Sequence, residues 1–205
     1  YLIASTKPKK AITFDAGMSL VELADEYERL LARDIDSEMK DQSLSRRQKV
    51  ALEDAEGALR MSRIGEVENT NVSFRHLAML AQVKSDEEIF NSVGQNVSDR
   101  LMRMRNWING PHFPKELRIK VLDEPMNGLD SNIINHLRLS LTDSEWDSES
   151  IGNSISSCFK ENEISPRDGY RNLYLAILGV EKGPRLAPIL SELNKQRVLN
   201  LLDSN

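Results

Sequence analysis

Ser165-Pro166-Arg167-Asp168-Gly169-Tyr170-Arg171-Asn172-Leu173-Tyr174-Leu175-Ala176-Ile177-Leu178-Gly179 is the stretch whose reading decides the fold class. Ser165 is an N-cap residue, able to accept a free amide of the first helical turn. Pro166 suits the first helical position, where no N–H is needed, and Asp168 adds negative charge at the positive end of the helix dipole. Tyr170, Leu173, Tyr174, Ile177 and Leu178 recur at spacings of three and four, which predicts one buried face, and Gly179 is the stop.

The same helical period extends outward in both directions. Leu20, Leu23, Ala24, Tyr27, Leu30 and Leu31 predict a helix over 17–33. Ahead of it, 11–15 is short and partly β-branched, a candidate extended segment. A weaker face with Val50, Leu52 and Ala55 predicts a helix over 45–58, and the polar stretch 64–73 reads as a loop. Ser73-Phe74 opens a run through Leu77, Leu80 and Ala81. Ser85 with Glu88 fits the capping box. Asn96 or Ser98 is expected to cap a helix carrying Val97, Leu101, Met104 and Ile108, ended by Gly110-Pro111. Leu129, Ile133, Leu137 and Leu141 step along one face, and Ile151, Ile155 and Phe159 along another. Gly183-Pro184 opens a helix with Leu186, Ile189, Leu190 and Leu193, and Val198, Leu201 and Leu202 mark the last. Strand-like alternation is almost absent. The expectation is an all-α protein of two helical lobes, 1–112 and 113–205, divided where Pro114, Pro125 and Gly128 punctuate the chain.

Composition narrows the function classes. The chain has 205 residues, 40% apolar and 29% charged, enough to bury a core without staples. Its one cysteine, Cys158, excludes an internal disulfide and reads as a buried thiol in a reduced, cytoplasmic protein. His76, His112 and His136 are scattered without metal-ligand spacing, so no metal site is expected. No phosphate loop, dinucleotide fingerprint or nucleophile elbow occurs, and no catalytic residue is assigned. No apolar run is long enough to span a membrane, and no secretory leader is read. The chain opens on Tyr1-Leu2-Ile3-Ala4, which reads as the tail of an apolar element already under way; the expectation is a longer protein upstream.

Net charge is -5, which on its face opposes nucleic-acid binding. Local sums differ. Lys7, Lys9 and Lys10 precede any acid. Between 101 and 120, Arg103, Arg105, Lys115, Arg118 and Lys120 oppose only Glu116, around Trp107. At 181–185, Lys182 and Arg185 flank a Gly-Pro turn. By contrast, 121–150 holds seven acids against Arg138. Each basic cluster has two readings. The first is a phosphate contact or a solvated loop. In the second, Trp107 is a stacking platform or a core residue. The third is an anion site or simply a turn.

Several blocks carry a family resemblance. Tyr1-Leu2-Ile3-Ala4-Ser5-Thr6-Lys7-Pro8-Lys9-Lys10-Ala11-Ile12 with Phe14-Asp15, then Val21-Glu22-Leu23-Ala24-Asp25-Glu26-Tyr27-Glu28-Arg29-Leu30, resembles the stretch after the KMSKS loop of class I lysyl-tRNA synthetases. Phe74-Arg75-His76-Leu77, Arg105-Asn106-Trp107, Leu173-Tyr174-Leu175-Ala176-Ile177-Leu178-Gly179 and Lys182-Gly183-Pro184-Arg185-Leu186 follow in collinear order. Residues 35–70 and 121–160 match poorly, and Ala187 stands where that family's pattern has glycine.

The resemblance implies an enzyme that activates lysine with ATP and transfers it to tRNA-Lys, through a Rossmann domain bearing HIGH and KMSKS signatures. Neither signature occurs in this chain, which would be the part that follows. It would comprise a connecting helical region and an anticodon-binding helical cage like that of glutamyl-tRNA synthetases. ATP would belong to the parent enzyme, with no cofactor in this part. The partners implied are tRNA-Lys and the amino-terminal catalytic domain. Lys7, Lys9 and Lys10 would touch tRNA near the active site. Arg103 and Arg105 would add contacts, and Arg167, Arg171, Lys182 and Arg185 would face the anticodon arm. Trp107, Trp146 and Tyr170 are the candidates for base stacking, and all three are equally read as core. An α-helical protein-interaction module, or a paralogue without ligase activity, stays open as the alternative.

Overall fold

A computed structural model describes residues 14–62 and 72–203. Helices α1 (Met18–Leu31), α2 (Ile35–Met39), α3 (Arg46–Ser62), α4 (Phe74–Val83), α5 (Asp86–Val93) and α6 (Ser98–Asn109) are followed by α7 (Ser131–Asp143), α8 (Ser148–Glu161), α9 (Pro166–Leu178), α10 (Leu186–Glu192) and α11 (Lys195–Leu201). Two 3-10 turns, Gln95–Val97 and Lys115–Leu117, complete the regular structure, and no strand occurs among the described residues. The all-α expectation holds. The segment 11–13, the loop 64–71 and the lysines at 7, 9 and 10 lie outside the described residues.

The chain forms two compact units that are not consecutive stretches. One gathers 14–62, 72–78 and 90–113; the other gathers 79–89 and 114–203. In the first, α1 and α2 pack on α3, with Ile35, Leu52 and Leu59 buried and Tyr27, Leu30 and Leu44 against them. The predicted α1 face is partly displaced. Val21 is the fully buried residue of that helix, while Leu31 is exposed. The cap expected at Asn96 or Ser98 is also not formed. The 3-10 turn runs directly into α6, Val97 holds the N-cap position, and no side chain caps the helix.

The second unit holds the larger core. Helix α8 lies against α7, α9 and α10, and α11 closes on α7, α9 and α10. Leu137, Leu141, Ile151, Ile155, Leu173, Ile177, Ile189 and Leu190 are fully buried there. Caps set the helix entries. Asp130 accepts the amides of Asn132 and Ile133, and Asp147 those of Glu149 and Ser150. Ser85 and Glu88 form the expected box at α5, with the Ser85 amide donating to Glu88 Oε2 at 2.8 Å. At α9, Ser165 Oγ accepts the Asp168 amide at 3.1 Å. Gly179 ends α9 in the left-handed region at φ 67°, where its N–H donates to the Leu175 carbonyl. Ala187, where the family pattern has glycine, rests against Gly152 of α8; a Cβ on Gly152 would meet the Ala187 methyl at 3.7 Å, ordinary van der Waals separation.

Candidate nucleic-acid interface

Helix α9 and the turn after it bring four of the sequence-predicted residues together. Arg167, Tyr170, Arg171 and Tyr174 sit at spacings of three and four, so they share one face of α9. The turn 179–185 folds back along that face. The Tyr174 hydroxyl donates to the Pro184 carbonyl at 2.7 Å, with the Gly183 carbonyl at 3.1 Å. Gly183 lies against the Tyr174 ring; a Cβ there would stand 3.4 Å from Tyr174 Cε1, within van der Waals contact. Burial pushes the Tyr174 phenol up, and nearby Tyr170 adds to the shift. A second tie runs one turn earlier. Arg171 donates from Nε at 2.9 Å and from Nη2 at 2.5 Å, both to Glu181 Oε1.

These ties hold Lys182 between two anchored neighbours, Glu181 and Gly183. The local charge is four basic residues, Arg167, Arg171, Lys182 and Arg185, against Asp168 and Glu181. Arg171 is neutralised by its partner, whereas Arg167, Lys182 and Arg185 are exposed and make no ion pair among the described residues. Such an arrangement presents unpaired positive charge beside an aromatic ring, which suits a polyanion with planar groups. Helix α10, which starts at Leu186, has only seven residues, and Arg185 holds its N-cap position without a side-chain capping bond. The turn itself, more than that short helix end, presents the charge.

The other predicted residues do not join this group. Arg103 is exposed on α6, and Arg105 of the same helix is half-buried and partnered. The 101–120 window divides between the two compact units, with Lys115, Arg118 and Lys120 in the second. Trp107 is a structural anchor. Its ring N–H donates to the Ala16 carbonyl at 2.5 Å, and its ring packs edge-on with Phe113 and tilted against Phe74. Trp146 is anchored likewise, donating to the Leu193 carbonyl at 2.8 Å beneath the Lys195 ammonium. Tyr170, predicted on the buried face, lies at its margin and is 37% exposed. The Phe74-Arg75-His76-Leu77 motif ties α4 to α1: the Phe74 amide donates to Glu28 Oε1 and Arg75 Nε to Asp25 Oδ2, each at 2.6 Å.

Sequence reasoning missed Glu181 and Tyr174 as the ties that shape the turn. Their one local signal was placement either side of Gly179. Among the described residues no cluster of His, Cys, Asp and Glu could hold a metal ion, and no helix is long and apolar enough to cross a membrane. Cys158 is buried, as expected, and burial pushes its thiol up, with Glu161 adding to the shift.

No family model matches the chain. Curated relatives do. The lysine--tRNA ligase of Picrophilus torridus is 23% identical over 218 aligned residues, covering all of this chain and 41% of that protein. The lysine--tRNA ligase of Thermoplasma volcanium is 26% identical over 230, covering all of this chain and 42% of the relative. That of Methanocaldococcus jannaschii is 25% identical, covering 97% of the chain and 42% of the relative. The chain thus spans about two fifths of the length of the relatives it matches. The resemblance read from separate blocks extends, in these alignments, over the poorly matching middle as well.

Proposed function

We propose that this chain, similar from end to end to lysine--tRNA ligases, is the tRNA-binding helical part that follows the catalytic loop of such an enzyme. It grips the anticodon arm of tRNA-Lys and holds it for a Rossmann domain outside these 205 residues, where lysine is activated with ATP. No catalytic residue is assigned to this part. The observation that carries the reading is the group on α9 and its returning turn, Arg167, Arg171, Lys182 and Arg185, with three of the four cations unpaired among the described residues. Phosphate contacts of this kind supply affinity, while splayed anticodon bases offer their edges and faces for recognition. Lys7, Lys9, Lys10, Arg103 and Arg105 are further tRNA contacts in this reading, separate from the α9 group.

A gel-shift titration with transcribed tRNA-Lys and an unrelated tRNA tests this. The expected result is tighter binding of tRNA-Lys, weakening linearly in log–log salt. The slope falls by about 0.7–0.9 for each phosphate that Lys182→Glu or Arg185→Glu leaves without its cation. Lys49→Glu, on α3, serves as the reference reversal. Equal affinity for both tRNAs, or equal effects of all three reversals, overturns the proposal and leaves a protein-interaction module.

A further inference from the structure

Three aromatic side chains are open to base stacking from sequence, and the structure separates them. Trp107 and Trp146 each donate the ring N–H to a backbone carbonyl and pack against neighbouring side chains, so their rings are committed to the fold. Tyr170 is different. It is 37% exposed, it lies between Arg167 and Arg171 on the cationic face of α9, and its hydroxyl makes no hydrogen bond among the described residues.

The ring is also held in place before any ligand arrives. Phe159 meets it edge-to-face, with ring centroids 5.2 Å apart and planes at 82°. Phe159 is itself fixed in the core because Gly169 leaves room for it; a Cβ on Gly169 would stand 2.3 Å from Phe159 Cε1. A tyrosine braced in this way loses little side-chain freedom on binding. An exposed aromatic ring on its own is ordinary surface. This one is rigid, flanked by two guanidinium groups, and one helical turn from the residue that pins the Lys182 turn. A base stacked on the ring would bring a flanking phosphate within reach of the unpaired Arg167, with Arg171 held by Glu181 on the other side, which is the cation-and-aromatic pattern of single-strand RNA recognition.

We propose that Tyr170 is the platform on which one unpaired base of the bound RNA stacks, an inference that rests on the tRNA-binding reading above. Loss of one stacked base costs about 5- to 150-fold in affinity, the equivalent of 1–3 kcal/mol. Stacking releases no counterions, so the salt slope stays constant when the ring is removed.

The test uses the whole chain and a transcribed anticodon-arm hairpin with 5-iodouridine in its loop, which crosslinks on irradiation to an aromatic ring stacked on it. Trypsin cuts after Arg167 and Arg171, so the Asp168–Arg171 peptide contains Tyr170 and no other aromatic, while Tyr174 falls in the next peptide. The expected result is an adduct on the first peptide, retained in Tyr170→Phe. In Tyr170→Leu, which keeps an apolar contact with Phe159, the adduct disappears and affinity drops within the stated range at an unchanged salt slope. Salt-dependent hairpin binding with no adduct on that peptide, or with Tyr170→Leu within twofold of the parent, overturns the platform and leaves the tRNA-binding reading intact. Absence of hairpin binding by the parent overturns both.

Discussion

Gly169 sits in the first half of a helix, where alanine is ordinarily the better residue by about 1 kcal/mol. The structure reverses that expectation. A Cβ at Gly169 would lie 2.3, 2.5 and 2.8 Å from Phe159 Cε1, Cζ and Cδ1. All three distances are shorter than real side chains tolerate, and the obstacle is the edge of a planar ring that is 3% exposed in the main core, not the end of a flexible chain. Either the ring leaves its place or α9 lifts from α8. Overpacking of this kind costs about 1–3 kcal/mol. At the top of that range, offset by the propensity gain, Gly169→Ala destabilises the second unit by about 2 kcal/mol. Urea unfolding followed by tryptophan emission measures it, with parent and variant both carrying Trp107→Phe so that Trp146 alone reports on that unit. Phe159→Leu lacks the farther ring atoms, so in its background the cost of Gly169→Ala shrinks, with a coupling of about 1 kcal/mol or more. A Gly169→Ala protein as stable as its parent, or an equal cost in both backgrounds, would refute the packing conflict and with it the rigidity claimed for Tyr170.

The pair Arg171–Glu181 is more than half exposed on both sides, so Glu181→Gln changes stability by no more than about 0.5 kcal/mol. The same change frees Arg171 for phosphate, so tRNA binding tightens and the salt slope steepens by about 0.7–0.9; unchanged or weaker binding in the gel shift counts against it. Asp147 caps α8, and hydrogen bonding from Ser150, first its side chain and then its amide, with the Glu149 amide, holds the carboxyl below its ordinary value. The folded-state pKa is therefore below the unfolded one. The stabilisation is complete above the unfolded value, near pH 4, and fades as pH falls through the folded value. The stability gap between the parent and Asp147→Asn, followed by urea melts from pH 6 downward, closes as the pH drops; a constant gap refutes the assignment.

Long amphipathic helices were legible in the sequence because burial leaves a period. The clearest case is α9, where cap, first-position proline, face and stop agree with one another. Short or irregular pieces leave no such trace. Five-residue α2 is too brief for a period, and its only local mark is Asp34, which accepts the Ser37 amide. Val21 outranks Leu31 in burial because the partners against α1 decide which positions meet a neighbour, and those partners are distant in sequence. The tryptophans show the same limit. Trp107 and Trp146 find their carbonyl partners 91 and 47 residues away, so no local pattern could tell an anchor from a stacking surface. Within the site, the shared face of Arg167 and Arg171 followed from spacing alone. The neutralisation of Arg171 by Glu181 required the chain to turn at Gly179 and return.

That return also bears on the acidic balance. A net charge of -5 describes interaction at a distance, yet screening confines exposed charges to about 10 Å at 0.1 M salt, so what a bound phosphate meets is the local group. Counting charges along the sequence errs in both directions here. Among the acids of 121–150, Asp123 is paired with Arg197, and Asp130 and Asp147 are turned onto helix amides. The one arginine of that stretch, Arg138, is paired with Asp203. Elsewhere in the second unit Lys84 is held by Glu192. Internal pairing thus removes cations as well as acids from what a ligand meets. On α9 and the turn after it, pairing spares Arg167, Lys182 and Arg185 among the described residues and takes only Arg171. Under the tRNA-binding proposal the group offers three cations without an ion pair among the described residues and a fourth held by Glu181, and the salt slope of Glu181→Gln measures whether that fourth charge can be recruited.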